Sequence, residues 1–254
     1  MNKFESVNNL RKKLESQPSI GSWLQIPNAT ICEIVGSAGY DWAAIDLEHG
    51  HISQEVLPDM FRALELGNTL PFARIANSHV NSCKSALDAG AAGIIVPKIE
   101  SANQLVQMKN SMRWPPAGER GVGFSRANLY GKYFDNYSIE SQNPFLVAMI
   151  ESKNGFENIE EILQVEGLDA IFIGPYDLSA SLGVVGNFKS NKFISSIKLI
   201  KDKCKKYMVP CGIHVVEPSH KDLISRIEDG YKFIAYSMDS MHLRNGLESI
   251  FNKI

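Results

Sequence analysis

The sequence predicts an α/β protein that folds as one (β/α)8 barrel spanning residues 1–254. Eight short apolar runs occur along the chain, helix-like stretches separate them, and a length of 254 residues suits one such barrel. The runs are mostly apolar throughout and do not alternate, which is expected of parallel strands buried on both faces. A doubly wound open sheet is the alternative. It is disfavoured because the first run is followed by Pro27–Thr30, and the sequence contains no GxGxxG turn.

The apolar runs define the predicted strands. Between them, residues 56–67 carry apolar side chains at helical spacing and end on a glycine, which is typical of a helix C-terminus. Helices are predicted in the same way at residues 154–165 and 193–207. The strands are predicted at residues 22–26, 42–46, 71–75, 93–97, 146–151, 170–174, 210–215 and 233–237.

Residues 113–143 interrupt this rhythm. The segment is long, weakly periodic and rich in glycine, proline, arginine and tyrosine. A long irregular insert in a compact domain usually has a function. We therefore expect it to lie over one mouth of the barrel.

Composition and charge narrow the possible partners and the compartment. The formal net charge of −2 recruits neither nucleic acid nor an acidic membrane surface. Residues 1–18 lack the apolar core of a signal peptide, and no apolar run reaches the ~18 residues that span a bilayer. The four cysteines form no CxxC pair, so reduced thiols in a cytoplasmic protein are the simplest interpretation.

Polar residues at the ends of the predicted strands are the candidates for chemistry. In a barrel of this type, catalytic groups lie at the carboxyl ends of the strands, and these ends converge on one small volume. Glu151 and Asp177 follow two adjacent strands, and their oxygens suit a hard divalent cation such as Mg²⁺, Mn²⁺ or Co²⁺. The alternative is that each carboxylate only caps the helix that follows it.

Arg74 and His49 are candidates of a different kind. Arg74 ends a strand and could bind a substrate carboxylate in a bidentate pair, or it could form a structural ion pair inside the barrel. His49 could be a general base, and it would then need a carboxylate to orient it. Asp46, Glu48 and Asp88 are the candidates for that carboxylate.

Several of these stretches together resemble a known family. They are Asp46–His49 (DLEH), the Arg74 strand, Gly118–Gly123 (GERGVG), Ile150–Lys153 (IESK) and Gly174–Gly183 (GPYDLSASLG). The combination is similar to the HpcH/HpaI aldolases, class II pyruvate aldolases that cleave 4-hydroxy-2-oxo acids. The resemblance runs from about Gly21 to the C-terminus.

The resemblance implies a mechanism and an assembly. It implies a divalent metal on Glu151 and Asp177, chelated by the 2-oxo acid end of the substrate. Arg74 would stabilise the ketone oxygen as the enolate forms, and His49 would act as the base. It also implies a homo-oligomer, commonly a hexamer arranged as a trimer of dimers, in which the last helix packs on a neighbouring subunit.

The resemblance further assigns supporting roles. Asp88 would come from a neighbouring subunit to orient the base, and Asp46 would support the same network. Backbone groups of Gly174–Asp177, with Pro175 and Tyr176 among them, would bind the pyruvate carboxylate. Arg126 matches a basic position of the family and, with Asn128, Tyr130 and Tyr133, would select the far end of the substrate.

Two residues depart from the family pattern. Met149 stands where these aldolases carry glutamine, and Tyr176 stands where they usually carry alanine. The departures suggest a different aldehyde acceptor, or a decarboxylase or condensing synthase that acts on oxaloacetate. A protein that binds a 2-oxo acid without turnover is a third hypothesis.

Overall fold

The computed structural model describes residues 3–251 and contains a closed barrel of eight parallel strands. The strands pair in sequence order, and β8 closes the barrel against β1. The predicted (β/α)8 architecture is confirmed. The strands are β1 Ser19–Leu24, β2 Trp42–Asp46, β3 Leu70–Arg74, β4 Gly93–Val96, β5 Phe145–Ile150, β6 Ala170–Ile173, β7 Cys211–Val215 and β8 Phe233–Met238.

Twelve α-helices occur among the described residues, and most of them surround the barrel. None of these helices is long and apolar enough to cross a membrane. The helices are α1 Lys3–Ser16, α2 Ala29–Gly36, α3 Leu57–Leu66, α4 Val80–Ala89, α5 Ala102–Met112, α6 Phe134–Glu140, α7 Lys153–Glu157, α8 Ile159–Leu163, α9 Pro175–Ser181, α10 Asn191–Tyr207, α11 His220–Glu228 and α12 Asp239–Glu248.

Strand β1 begins three residues before the predicted start and ends two residues before the predicted end. Ser19 pairs in register with Phe233 of β8, so barrel closure draws the polar start of the run into the sheet. Gly21 is also part of the strand. A Cβ at Gly21 would lie 2.1 Å from the Trp42 ring, so only glycine lets that indole pack against the strand.

A layer of aromatic rings fills the barrel interior. Trp42 and Phe233 stack with ring centroids 4.2 Å apart, and Phe72 and Phe145 stack at 5.2 Å. All four side chains are fully buried. The layer therefore separates the two mouths of the barrel.

Helix α1 closes the N-terminal mouth, a role that the sequence analysis did not predict. Its buried side chains Val7, Leu10 and Leu14 belong to the same apolar cluster as the aromatic layer. Arg11 fixes the helix through an ion pair with Asp169, with Nε and Oδ1 2.7 Å apart. The site must therefore lie at the opposite mouth.

The predicted helix over residues 154–165 is two short helices, α7 and α8. Asn158 interrupts it with φ −95° and ψ 14°. Its Nδ2 donates to the carbonyl oxygen of Glu100 at 2.8 Å, which ties the break to the loop after β4. The side-chain bond competes with continuous helix at this position.

Candidate active site

Asp46 and Arg74 form an ion pair at the C-terminal mouth. They are the last residues of the adjacent strands β2 and β3, and they are paired in register. The guanidinium donates from Nε to Oδ1 at 2.9 Å and from Nη2 to Oδ2 at 2.6 Å. This bidentate geometry fixes the plane of the guanidinium.

Further contacts orient the same pair. The Arg74 guanidinium lies over the Trp23 ring, 4.6 Å from its centroid, and Nη1 lies 3.2 Å from Oε2 of Glu48. Asp46 also accepts from the backbone amides of Glu48 and His49. Two of the five guanidinium N–H groups donate to Asp46, which leaves three that can bind a substrate oxygen.

Asp46 is held in its charged form. Burial raises the pKa of this carboxyl, but the hydrogen bonds and charge of Arg74 outweigh it. Gln25 adds a further hydrogen bond, from Nε2 to Oδ2 at 2.9 Å. The net effect is a pKa below the usual range for aspartate.

Glu151 is a second buried carboxylate at this mouth. It follows β5 and is 4% exposed, and its Oε1 accepts from the Lys98 backbone amide at 2.7 Å. Burial raises its pKa to about 7, the Lys98 amide lowers it, and the charges of Glu48 and Asp177 raise it further. A carboxylate in this setting needs a cation beside it to stay charged at neutral pH.

Asp177 lies in the first turn of α9 and is exposed. Its oxygens and those of Glu151 fit a hard divalent cation, because carboxylates are the ligands such cations prefer. In the part of the chain that the structure describes, no three His, Cys, Asp or Glu side chains converge on one point. Two carboxylates alone would leave positions for water and substrate on such an ion.

Gly174 determines how closely β6 approaches Glu151. A Cβ at this position would lie 2.6 Å from Oε2 of Glu151 and 2.8 Å from its Cβ. Pro175 then begins α9, and the Tyr176 and Asp177 amides lie in its first turn, where N–H groups have no helical partner. The predicted carboxylate-binding groups therefore adjoin the predicted metal ligands.

His49 lies in the loop after β2 and is exposed. Its backbone amide binds Asp46, but within residues 3–251 no side chain forms a hydrogen bond with its imidazole. Neither Asp46 nor Glu48 orients it within one chain. The geometry leaves that role open to a group from outside the chain.

Asp88 and Arg126 do not join the site within one chain. Asp88 lies in the last turn of α4, near Arg120 and Lys84, and burial raises its pKa. Arg126 donates from Nη2 to Glu65 at 2.7 Å and from Nη1 to the Ala89 carbonyl at 2.9 Å. Both lie toward the N-terminal end of the barrel.

The course of the insert explains why Arg126 does not reach the site. Residues 113–144 connect the end of α5 to the start of β5, so they lie at the N-terminal side and not over the catalytic mouth. Asn128 is buried there, and its Nδ2 donates to the Gly123 carbonyl. The structure does not bring Arg126, Asn128, Tyr130 and Tyr133 to the site of their own chain, so their role in selecting the substrate stays a prediction.

The two departures from the family pattern differ in position. Met149 precedes Glu151 by two residues on β5 and faces the barrel interior, in the cluster that includes Trp23. The Tyr176 ring is 59% exposed and packs edge-on against Phe188, with centroids 5.0 Å apart. Met149 thus changes the composition of the buried side-chain layer beneath Glu151. Tyr176 changes the exposed edge of the C-terminal mouth.

Three further residues surround Arg74 and Asp46, and sequence reasoning missed two of them, Trp23 and Gln25, while His214 was a minor candidate. Trp23 and Gln25 lie at the end of β1 and just after it, inside the predicted strand, but neither carries a charge that would single it out. His214, on β7, lies 5.9 Å from the Trp23 ring, and its Nε2 lies 3.1 Å from the Ser237 carbonyl oxygen. Burial lowers the pKa of His214 to about 4, so it is neutral beside Arg74.

The chain is similar to known aldolases over nearly its whole length. The family model HpcH/HpaI aldolase/citrate lyase matches residues 19–246. A hydroxypyruvate/pyruvate aldolase of Roseobacter denitrificans is 35% identical over 97% of both chains. A 5-keto-4-deoxy-D-glucarate aldolase of Klebsiella pneumoniae subsp. pneumoniae is 33% identical over 92% of this chain and 91% of its own.

A solved structure agrees with these matches. The HpcH/HpaI aldolase/citrate lyase family protein of Burkholderia cenocepacia superposes with a TM-score of 0.90 at 28% identity. The superposition covers 97% of this chain and 98% of that one. With the strand-end site described above, these matches lead to one assignment: the chain belongs to the HpcH/HpaI aldolase/citrate lyase family.

Proposed function

We propose that this protein is a metal-dependent carbon–carbon lyase of the class II aldehyde-lyase type. It would cleave a 4-hydroxy-2-oxo acid to pyruvate and an aldehyde. The observation that carries the proposal is the Arg74 guanidinium, fixed by Asp46 and Glu48 at the same mouth as the buried carboxylate Glu151. The aldolases among its relatives support the same reaction class.

Glu151 and Asp177 would hold the divalent metal, Mg²⁺, Mn²⁺ or Co²⁺. When bound, it would supply a Lewis acid at the ketone oxygen of the substrate. The raised pKa of Glu151 supports this role, because the chain itself places no cationic side chain in hydrogen-bond contact with that carboxylate among the described residues.

The residues around the metal site would handle charge and protons. Breaking the C3–C4 bond leaves a pyruvate enolate, and Arg74 would stabilise its oxygen where negative charge develops. His49 would remove the 4-hydroxyl proton. The amides of Tyr176 and Asp177, behind Gly174 and Pro175, would bind the pyruvate carboxylate.

The unpartnered imidazole of His49 supports an oligomer. We propose that Asp88 and Arg126 serve the site of a neighbouring subunit, since neither reaches the site of its own chain. The C-terminal region offers a surface for the contact, because α11 has no buried residue. Four apolar side chains in and just after α12 are also 53–76% exposed: Leu243, Leu247, Ile250 and Phe251.

A first experiment tests the reaction. EDTA-treated protein is assayed for pyruvate release from 5-keto-4-deoxy-D-glucarate and from aldol adducts of pyruvate and hydroxypyruvate, before and after addition of Mn²⁺, Mg²⁺ or Co²⁺. We expect release that depends on metal and falls at least ~100-fold in Arg74→Ala, because one oxyanion contact is worth that much. Pyruvate release at the same rate with and without metal, or an Arg74→Ala variant as active as the wild type, would refute the proposal.

The third hypothesis, binding without turnover, has its own measurement. A turnover-competent site must form the enolate, so it exchanges the methyl protons of pyruvate in D2O. We expect metal-dependent exchange by NMR. Tight oxalate binding without any exchange would replace the lyase proposal with a binding function.

Met149 supports a second candidate reaction on oxaloacetate. A thioether beneath Glu151 cannot make the hydrogen bonds of an amide, so the layer under the metal site is less polar than in the family pattern. Oxaloacetate is offered with metal, and carbon dioxide and condensation products are measured for the wild type and for Met149→Gln. A product spectrum that the substitution leaves unchanged removes the basis for this candidate.

The cytoplasmic location remains a prediction. Its support is the set of cysteines, all of which are free and buried thiols in the structure: Cys32, Cys83, Cys204 and Cys211.

A further inference from the structure

Gln25 connects the last helix of the barrel to the Asp46–Arg74 pair. It is the first residue after β1 and lies between the N-terminus of α12 and the end of β2. Beyond its hydrogen bond to Asp46, no step of the proposed reaction uses Gln25. Both ends of its side-chain amide are nevertheless bonded.

Helix α12 fixes the backbone of Gln25. The buried carboxylate of Asp239 accepts from the Gln25 amide at 3.0 Å and from the Ile26 amide at 2.9 Å. Ser240 also donates from Oγ to Oε1 of the Gln25 side chain at 3.3 Å. Backbone and side chain are therefore both held by the first turn of one helix.

The other end of the amide holds Asp46. Nε2 donates to Oδ2 of Asp46 at 2.9 Å, and the same oxygen accepts from Nη2 of Arg74. The chemistry allows only one orientation of the amide, because a carboxylate accepts and the Ser240 hydroxyl can donate. Gln25 therefore transmits the position of α12 to the oxygen that holds the guanidinium.

We infer that Gln25 is a positioning residue that keeps Asp46, and through it Arg74, aligned for the enolate oxygen. The inference deepens the proposed lyase function and rests on it only for the catalytic consequence. Alignment matters because a misplacement of about 1 Å can cost ~100-fold in rate. A side chain that only filled space would not need both ends of its amide to be bonded.

The test uses Gln25→Met, which keeps the length of the side chain but removes its donor and acceptor. We expect kcat for metal-dependent pyruvate release to fall about tenfold, the equivalent of one charge-assisted hydrogen bond, while KM changes less than about threefold. Gln164→Met is the matched control, since Gln164 is an exposed residue whose Nε2 donates to the Glu160 carbonyl. An unchanged kcat, or a lower melting temperature with unchanged kcat, overturns the inference.

Ser240→Ala tests the connection to the helix. It removes only the contact to Oε1, so its loss of kcat should be smaller than that of Gln25→Met. If Ser240 acts through Gln25, the double variant should lose no more than Gln25→Met alone. If the fold losses in kcat of the two single variants multiply in the double variant, the two residues act independently. That result would refute the connection between α12 and Asp46 through Gln25.

A readout without turnover separates this inference from the proposed function. Arg74 is modified with a phenylglyoxal reagent and quantified by mass spectrometry against Arg62, whose side chain is 50% exposed while that of Arg74 is 11% exposed. We expect Arg74 to react at least threefold faster in Gln25→Met than in the wild type, and at the wild-type rate in Gln164→Met. Equal rates in all three proteins overturn the inference, whether or not the protein proves to be a lyase.

Discussion

Asp46 accepts hydrogen bonds from three side-chain N–H groups and two backbone amides. The three side-chain donors belong to Arg74 and Gln25. A carboxylate so engaged is a fixed part of the site, and its substitution should affect both activity and stability. The two alternatives for Arg74, a structural ion pair and a substrate contact, are thus compatible, because the ion pair orients the remaining donors.

The substitution Asp46→Asn keeps the shape of the side chain but turns one acceptor into a donor that faces Arg74. We expect kcat/KM to fall at least ~100-fold and the free energy of unfolding to fall by about 2 kcal/mol. Steady-state kinetics and urea unfolding measure the two effects. Asp59→Asn is the control, because Asp59 pairs with Arg62 on the surface. Full activity of Asp46→Asn would contradict the assignment.

Glu151 makes the stability of the metal-free protein depend on pH. Its pKa is raised from 4.5 to about 7 in the folded state. Folding is therefore favoured below pH 4.5 relative to neutral pH, and this contribution is lost as pH rises toward 7. The loss amounts to about 3 kcal/mol.

Thermal unfolding after EDTA treatment, measured from pH 4.5 to 8, should show this loss. We expect Glu151→Gln to flatten the decline, whereas Glu157→Gln, on an exposed surface pair, should not. Added Mn²⁺ should restore stability above pH 7 in the wild type but much less in Glu151→Gln, because binding to the folded state stabilises it. If the stability of Glu151→Gln falls with pH as much as that of the wild type, other groups cause the fall.

At the scale of elements, helix α1 contributes stability and not chemistry. Leu10 is 4% exposed and packs under the aromatic layer, at the mouth opposite Glu151. We expect Leu10→Ala to lower the free energy of unfolding by about 3 kcal/mol and to leave KM unchanged below the transition. Leu66→Ala, at a side chain that is 77% exposed, should change neither. Equal unfolding curves for the two variants would contradict the role of α1.

Strands β2 to β8 were predicted to within about one residue because their apolar runs coincide with the paired segments. Strand β1 was displaced because Ser19 and Gly21 enter the sheet through pairing with β8, which local hydrophobicity does not reveal. Helix α1 was not predicted because only three of its side chains are buried, between charged residues. The break at Asn158 depends on a contact with Glu100, far away in sequence.

The site residues, like the strands and helices, divide into those that the local sequence predicts and those that depend on contacts distant in sequence. Asp46, Arg74 and Glu151 were predictable, because the carboxyl ends of neighbouring strands must meet. Gln25 also lies at a strand end by the same rule, but an uncharged amide gives no signal of a contact with Asp46 in the sequence. The positions of Asp88 and Arg126 could not be predicted, because they depend on how an insert of about 30 residues folds back on the N-terminal end.

At the scale of the whole molecule, the exposed apolar residues of the C-terminal region predict self-association. We expect size-exclusion chromatography with light scattering to show an oligomer, and Leu247→Glu to reduce its size, since a buried charge without a partner disrupts an apolar interface. Val185→Glu is the control, because Val185 is also exposed but lies in the loop after α9. A monomeric wild type would refute the oligomer, and with it the role proposed for Asp88 and Arg126.

The aromatic layer between the two mouths has a consequence for protein engineering. Trp42, Phe72, Phe145 and Phe233 hold the strands together below the level of the reacting groups. Libraries that vary the Tyr176 side chain and the loop of residues 183–188 should therefore change which aldehydes are accepted while most variants still fold. Substitutions of the four rings would instead remove buried contacts and lower the yield of folded protein.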